Sequence, residues 1–141
     1  PVDLEATRLD LSTELDGFKV DNEDLNGYLM YPKVYLYKRI KDAKILIDRD
    51  YAQSINLDQI AKRVYLSKYH FLRLFKEAYG VSPHQYLIGK RIEKAKFLLL
   101  TELSVAQVCN DIGFESVQSF SNLFKRQTGL SPGQYRRELG E

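Results

Sequence analysis

Residues 74–86 read LFKEAYGVSPHQY, and residues 123–135 read LFKRQTGLSPGQY. One phrase is written twice, 49 residues apart, in a chain of 141. In each copy Leu-Phe closes an apolar stripe. Gly80 and Gly129 follow where a helix C-terminus favours a left-handed residue, and Ser-Pro then opens a new helix with Pro83 or Pro132 at its first position. Upstream the copies stay in register. Copy one begins at Asn56 with NLDQIAKRV and copy two at Ser104 with SVAQVCNDI. Each has a capping residue with glutamine three positions on, Gln59 or Gln107, the pattern of a capping box. Leu57, Ile60, Ala61 and Val64 match Val105, Val108, Cys109 and Ile112 at helical spacing.

A short break follows, YLS in one copy and GFES in the other, and Ser67 and Ser116 suit the N-caps of a second helix. That helix turns Phe71, Leu74, Phe75 and Ala78 inward in copy one and Phe120, Leu123 and Phe124 in copy two. The offset is 48 residues before the break and 49 after it, so copy two has one extra residue in its turn. The repeat is therefore helix, tight turn, helix, stop and new helix. No clean strand alternation accompanies it, and the expected class is all-α. Four segments are expected: an acidic arm over 1–32, a first helix-turn-helix unit over 33–81, a bridging helix over 82–102 and a second unit over 103–141. Val34, Tyr37, Ile40, Ile47 and Tyr51 predict an amphipathic helix behind Pro32. The bridge is expected from about Ser82 to Thr101, with Tyr86, Ile92, Ala95, Leu98 and Leu99 facing both units.

Charge is unevenly spread. Residues 1–30 hold eight acids and two bases, a net −6, whereas residues 31–141 carry +8. An acidic lead and a basic body suggest that the body meets a polyanion. No run approaches the roughly 20 apolar residues of a membrane span, and PVDLEATRLD lacks the features of a secretory signal. A cytoplasmic location with no membrane partner is expected. One cysteine, Cys109, excludes an internal disulfide framework and reads as a small buried hydrophobe. His70 and His84 lie on opposite sides of a helix stop with no cysteine partner, so neither metal nor other cofactor is expected. No nucleophilic triad, paired-carboxylate motif or phosphate-binding glycine loop is visible, so the chain does not read as an enzyme. Tyr28, Tyr31, Tyr35 and Tyr37 could stack a ligand or nucleobase, but their expected role is to pack the acidic lead onto the first helix.

A helix, a short turn and a second helix with a polar outer stripe form the helix-turn-helix pattern, whose second helix suits the major groove. Residues from about Val34 to Arg137 resemble the DNA-binding domain of AraC/XylS-type bacterial transcription regulators. The resemblance rests on the copy-one run from LDQIAKRV to EKAKFLL and on VAQVCNDIGFESVQSFSNLFKRQTGLSPGQYRR. It implies two homeodomain-like helix-turn-helix units joined by a long helix, set in successive major grooves of double-stranded DNA. It also implies that bound protein recruits or blocks RNA polymerase. The sequence leaves any small-molecule effector, the operator and the sign of regulation open.

Helix geometry picks out the readers. With Phe71, Leu74 and Phe75 buried, the opposite face shows Tyr69, Leu72, Arg73 and Lys76. The matching face of copy two shows Gln118, Ser121, Asn122 and Lys125, with Val117 and Ser119 near the helix start. The resemblance supports Tyr69, Leu72, Arg73, Val117, Gln118, Ser119 and Asn122 as base-facing, although relatives usually place long polar or basic side chains at the positions of Leu72 and Asn122. Lys68, Lys76, Lys125, Arg126, Arg136 and Arg137 are the candidate phosphate contacts. Arg91 lies on the core-facing stripe of the bridge and reads as half of a structural ion pair. The competing reading is a protein-interaction adaptor on the same helical scaffold.

Overall fold

Side-chain caps and left-handed glycines divide the chain into short helices. A computed structural model describes residues 33–140, and among these the chain forms seven α-helices and no strand. They are α1 (Lys33–Asp50), α2 (Leu57–Arg63), α3 (Lys68–Tyr79), α4 (Pro83–Leu98), α5 (Val105–Asp111), α6 (Val117–Thr128) and α7 (Pro132–Leu139). The acidic lead over 1–32, with Tyr28 and Tyr31, lies outside the described residues.

The expected N-caps form, though the box expected at Asn56 and Gln59 is completed only on the Asn56 side. The Asn56 side chain accepts hydrogen bonds from the Asp58 and Gln59 amides at the start of α2. Ser67 accepts from the His70 amide ahead of α3, and Ser116 from the Ser119 amide ahead of α6. Ser104 and Gln107 form a complete reciprocal box at α5, and Ser131 and Gln134 form a second at α7. Each satisfies amides that the first helical turn would otherwise leave without partners. Gly80 (φ 80°) and Gly129 (φ 86°) end α3 and α6 in the left-handed conformation, donating to the Lys76 and Lys125 carbonyls.

The bridging helix is shorter than the sequence suggested. It spans 16 residues, Pro83–Leu98, about 24 Å at the helical rise of 1.5 Å per residue. Its end tightens into three-residue turns: the Leu100 amide donates to Phe97 O (3.2 Å) and the Thr101 amide to Leu98 O (3.0 Å). The Thr101 hydroxyl donates to the same Leu98 carbonyl at 2.5 Å. Both Thr101 donors thus meet at the carbonyl where the α-helix ends, although the apolar run continues through Leu99 and Leu100.

Two compact units result. The described part of the first comprises residues 33–47 and Asn56–His84; the second comprises Asp48–Ile55 and residues 85–140. In the first, Phe71 and Phe75 of α3 are fully buried, as are Val34, Ile40 and Ile47 of α1. Tyr37 is buried beside them and Tyr35 is exposed. In the second, Phe120 and Phe124 of α6 sit in one cluster with Ile92, Ala95, Leu99, Val108, Cys109 and Ile112. Burying a side chain of this size contributes about 1.5–3 kcal/mol.

The turn between the paired helices differs between copies. Tyr65 adopts a left-handed φ of 61°, and Gly113, its match in copy two, a φ of 92°. A Cβ on Gly113 would lie 2.8 Å from the Ala52 carbonyl oxygen, whereas nothing lies within 4 Å of one built on Gly80. Gly80→Ala should therefore cost only the left-handed penalty of about 1–2 kcal/mol. Gly113→Ala should cost roughly 1–3 kcal/mol more, because backbone must move. Urea unfolding of the two variants checks this, and equal midpoints would refute the close approach at Gly113.

Candidate nucleic-acid interface

Because α3 buries Phe71, Leu74, Phe75 and Ala78, its other face is held outward. Tyr69 is 69% exposed and Leu72 39%, and Arg73 and Lys76 are exposed beside them. The Arg73 guanidinium lies 5.7 Å from the centre of the Tyr69 ring. The Tyr69 and His70 rings are tilted neighbours at 6.1 Å. Lys68 sits one position earlier, with its ammonium 3.6 Å from the Asp58 carboxylate of α2. Both ends of that pair are solvated, so it is a weak and breakable contact.

On α6, burial of Phe120 and Phe124 turns Val117, Gln118, Ser119, Asn122 and Lys125 outward. Ser121, expected on the same face, is half-buried. The Ser116 hydroxyl accepts from the Ser119 amide (3.1 Å) and donates to the Ser119 hydroxyl (2.9 Å). Ser119 therefore keeps its own hydroxyl proton for an external acceptor. Lys125, Arg126 and Arg137 are exposed.

Two arginines have roles that the sequence did not reveal. Arg136, expected among the phosphate contacts, is half-buried and donates through Nε to Leu99 O (2.7 Å) and through Nη2 to Leu103 O. It ties α7 to carbonyls of the segment between α4 and α5, using two of its five N–H donors inside the unit. Arg91, expected to pair with a carboxylate, instead donates to two backbone carbonyls, Tyr51 O (2.7 Å) and Gln53 O (2.9 Å). Its guanidinium also lies 5.6 Å from the Phe114 ring centre. Burial lowers the Arg91 pKa below the usual arginine range. Neither role has a local signal, because each acceptor is a carbonyl more than 30 residues away.

The sequence reading also missed Arg39 of α1. It donates to Tyr65 O at 3.4 Å, with its guanidinium 6.0 Å from the Tyr65 ring centre, and so braces the turn ahead of α3. The mismatch of Tyr65 with Gly113 in the aligned copies was the one available hint. Cys109 is buried, and burial pushes its thiol up from the usual value. His70 and His84 are both exposed. Among the described residues, no group of three or more His, Cys, Asp or Glu could hold a metal ion. No described helix is long and apolar enough to cross a membrane.

Paired units that each hold a second helix outward by its buried phenylalanines define a double helix-turn-helix protein. Residues 60–138 match a family model described as a helix-turn-helix domain. The HTH-type transcriptional regulator YdiP of Escherichia coli K12 is 37% identical over 101 residues, which are 71% of this chain and 33% of YdiP. The C-terminal domain of AraT, a response regulator from Geobacillus stearothermophilus, superposes with a TM-score of 0.68 at 33% identity, covering 70% of this chain and 84% of that one. The DNA-binding domain of the transcriptional factor AdpA, solved in complex with a target DNA, gives a TM-score of 0.67 at 30% identity and covers 70% and 90% of the two chains. The chain belongs to the AraC/XylS-type helix-turn-helix family. It spans about a third of the length of YdiP.

The contrast between neighbouring arginines is testable. Removing a half-buried charged donor strands two carbonyls, so Arg136→Ala should lower stability by about 1–3 kcal/mol. Arg137→Ala, at an exposed site, should stay within about 0.5 kcal/mol of the parent. Chemical denaturation of the pair measures the difference, and matching stabilities would return Arg136 to the solvent-facing set.

Proposed function

We propose that the chain binds double-stranded DNA sequence-specifically and regulates bacterial transcription, with α3 and α6 each seated in a major groove. The observation that carries this reading is the repeat itself. Two in-register copies hold a second helix outward, and both outward faces carry side chains suited to base edges. A helix about 10–12 Å across fits a groove about 12 Å wide.

On α3, Arg73 supplies two parallel donors for guanine, while Tyr69 and Leu72 meet bases by apolar contact. On α6, Gln118 or Asn122 pairs with adenine, Val117 touches a thymine methyl and Ser119 donates its hydroxyl proton. Lys68, Lys76, Lys125, Arg126 and Arg137 grip phosphate, which sets register without reading sequence. Binding opens the Lys68–Asp58 pair at little cost. Bound protein then recruits or blocks RNA polymerase. This role belongs to the cytoplasm and needs neither cofactor nor catalytic group; a small-molecule effector is left unassigned.

Counterion release gives the sharpest test against an adaptor. With about six to ten phosphates contacted, log K should fall against log salt with a slope of roughly −5 to −9. A slope near zero favours the adaptor on the same scaffold.

The two contact types separate by mutation. Arg73→Ala should cost about 1–3 kcal/mol and relax preference at one base pair, whereas Lys125→Ala should weaken all sequences alike. Competition binding across single-base-pair variants of a selected duplex reads this directly, after circular dichroism confirms that both variants fold. Equal, sequence-blind losses from the two would remove Arg73 from the base readers.

A further inference from the structure

Arg73 and Tyr69 stand one helical turn apart on the outer face of α3, with the guanidinium 5.7 Å from the ring centre. Among the described residues, that ring is the one interaction Arg73 makes. Its neighbour Lys68, by contrast, faces a carboxylate at 3.6 Å. The distinction matters for recognition. A carboxylate partner would occupy the guanidinium N–H donors, which lie in the guanidinium plane. An aromatic partner attracts the cation electrostatically through the face of its ring and requires none of those in-plane donors. The ring itself remains 69% exposed, so the pair stands in solvent rather than in a packed core.

A free arginine side chain carries about 2 kcal/mol of rotamer entropy, much of which bidentate contact must remove. Holding the guanidinium beforehand reduces that loss and favours the partner that needs two parallel donors. In the major groove that partner is guanine, with O6 and N7 side by side. Copy two lacks the device. The positions matching Tyr69 and Arg73 are Gln118 and Asn122, two amides at the same spacing. We infer that Tyr69 is a positioning residue: its ring pre-orients Arg73 and thereby sets the strength of guanine preference in the half-site read by α3. This inference rests on the DNA-binding reading above and extends it to one residue and one base.

The test uses the full 141-residue chain. A randomised duplex library first yields a preferred sequence. The G·C pair lost in Arg73→Ala is then replaced by each alternative pair, and relative affinities are measured for the parent, Tyr69→Phe, Tyr69→Ala, Arg73→Ala and the double Ala variant. A cation–π contact at an exposed site corresponds to a two- to five-fold effect. Tyr69→Ala should therefore reduce guanine discrimination at that one pair by roughly two- to five-fold. Tyr69→Phe should retain it, because the aromatic face is kept, and the double variant should match Arg73→Ala.

Three results overturn the inference, each in a recognisable way. Unchanged discrimination in Tyr69→Ala, with Arg73→Ala relaxed, removes the positioning role and leaves DNA reading intact. A loss confined to a different base pair, additive with that of Arg73→Ala, leaves Tyr69 with its direct base contact alone and removes the positioning role. A parent chain that selects no sequence removes the DNA-binding reading and this inference with it.

Discussion

Everything on the outer face of this protein depends on two pairs of phenylalanines four residues apart. Phe71 and Phe75 on α3 meet edge to face at 5.9 Å, and Phe120 and Phe124 on α6 do so at 5.6 Å. Each helix has only 12 residues, about the length at which an isolated helix is marginal in water. Tertiary burial therefore supplies both the helicity and the rotational setting. Once those rings are inside, positions 69, 72, 73 and 76, and 118, 122 and 125, have no choice but to face outward.

The duplication preserves that constraint and little of what it displays. Caps, inward rings, glycine stops and Ser-Pro restarts recur at the same places in both copies. Outside, copy one offers a cation and an aromatic ring, and copy two offers amides and a hydroxyl. One scaffold thus presents two different chemistries. That combination is what a reader of two unlike half-sites needs, and an adaptor has no evident need of it.

Most of the fold was legible because its signals are local. A capping serine, a left-handed glycine and a period of 3.6 act within five residues, so Ser104 with Gln107 and the stops at Gly80 and Gly129 could be placed from spacing alone. The outward positions of the candidate site followed from the same period. The exceptions are long-range or competitive. Arg136 and Arg91 reach distant backbone carbonyls, and a long flexible side chain gives no periodic hint of its target. The bridge ended early, at Leu98, whose carbonyl takes both the Thr101 amide and hydroxyl, while the apolar pattern ran on through Leu99 and Leu100. Ser121 fell partly inside because it lies on the boundary between the two faces.

One minor feature of the second unit has a practical side. Cys109 is the chain's single cysteine and is 3% exposed, with its Sγ directed at the Phe114 carbonyl. The thiolate is the reactive form, and burial disfavours it. The folded chain is therefore close to chemically silent toward thiol reagents. A cysteine introduced on the surface would be the sole site for a fluorophore or spin label, so distances and motions in this protein can be followed without first removing a native residue from its core.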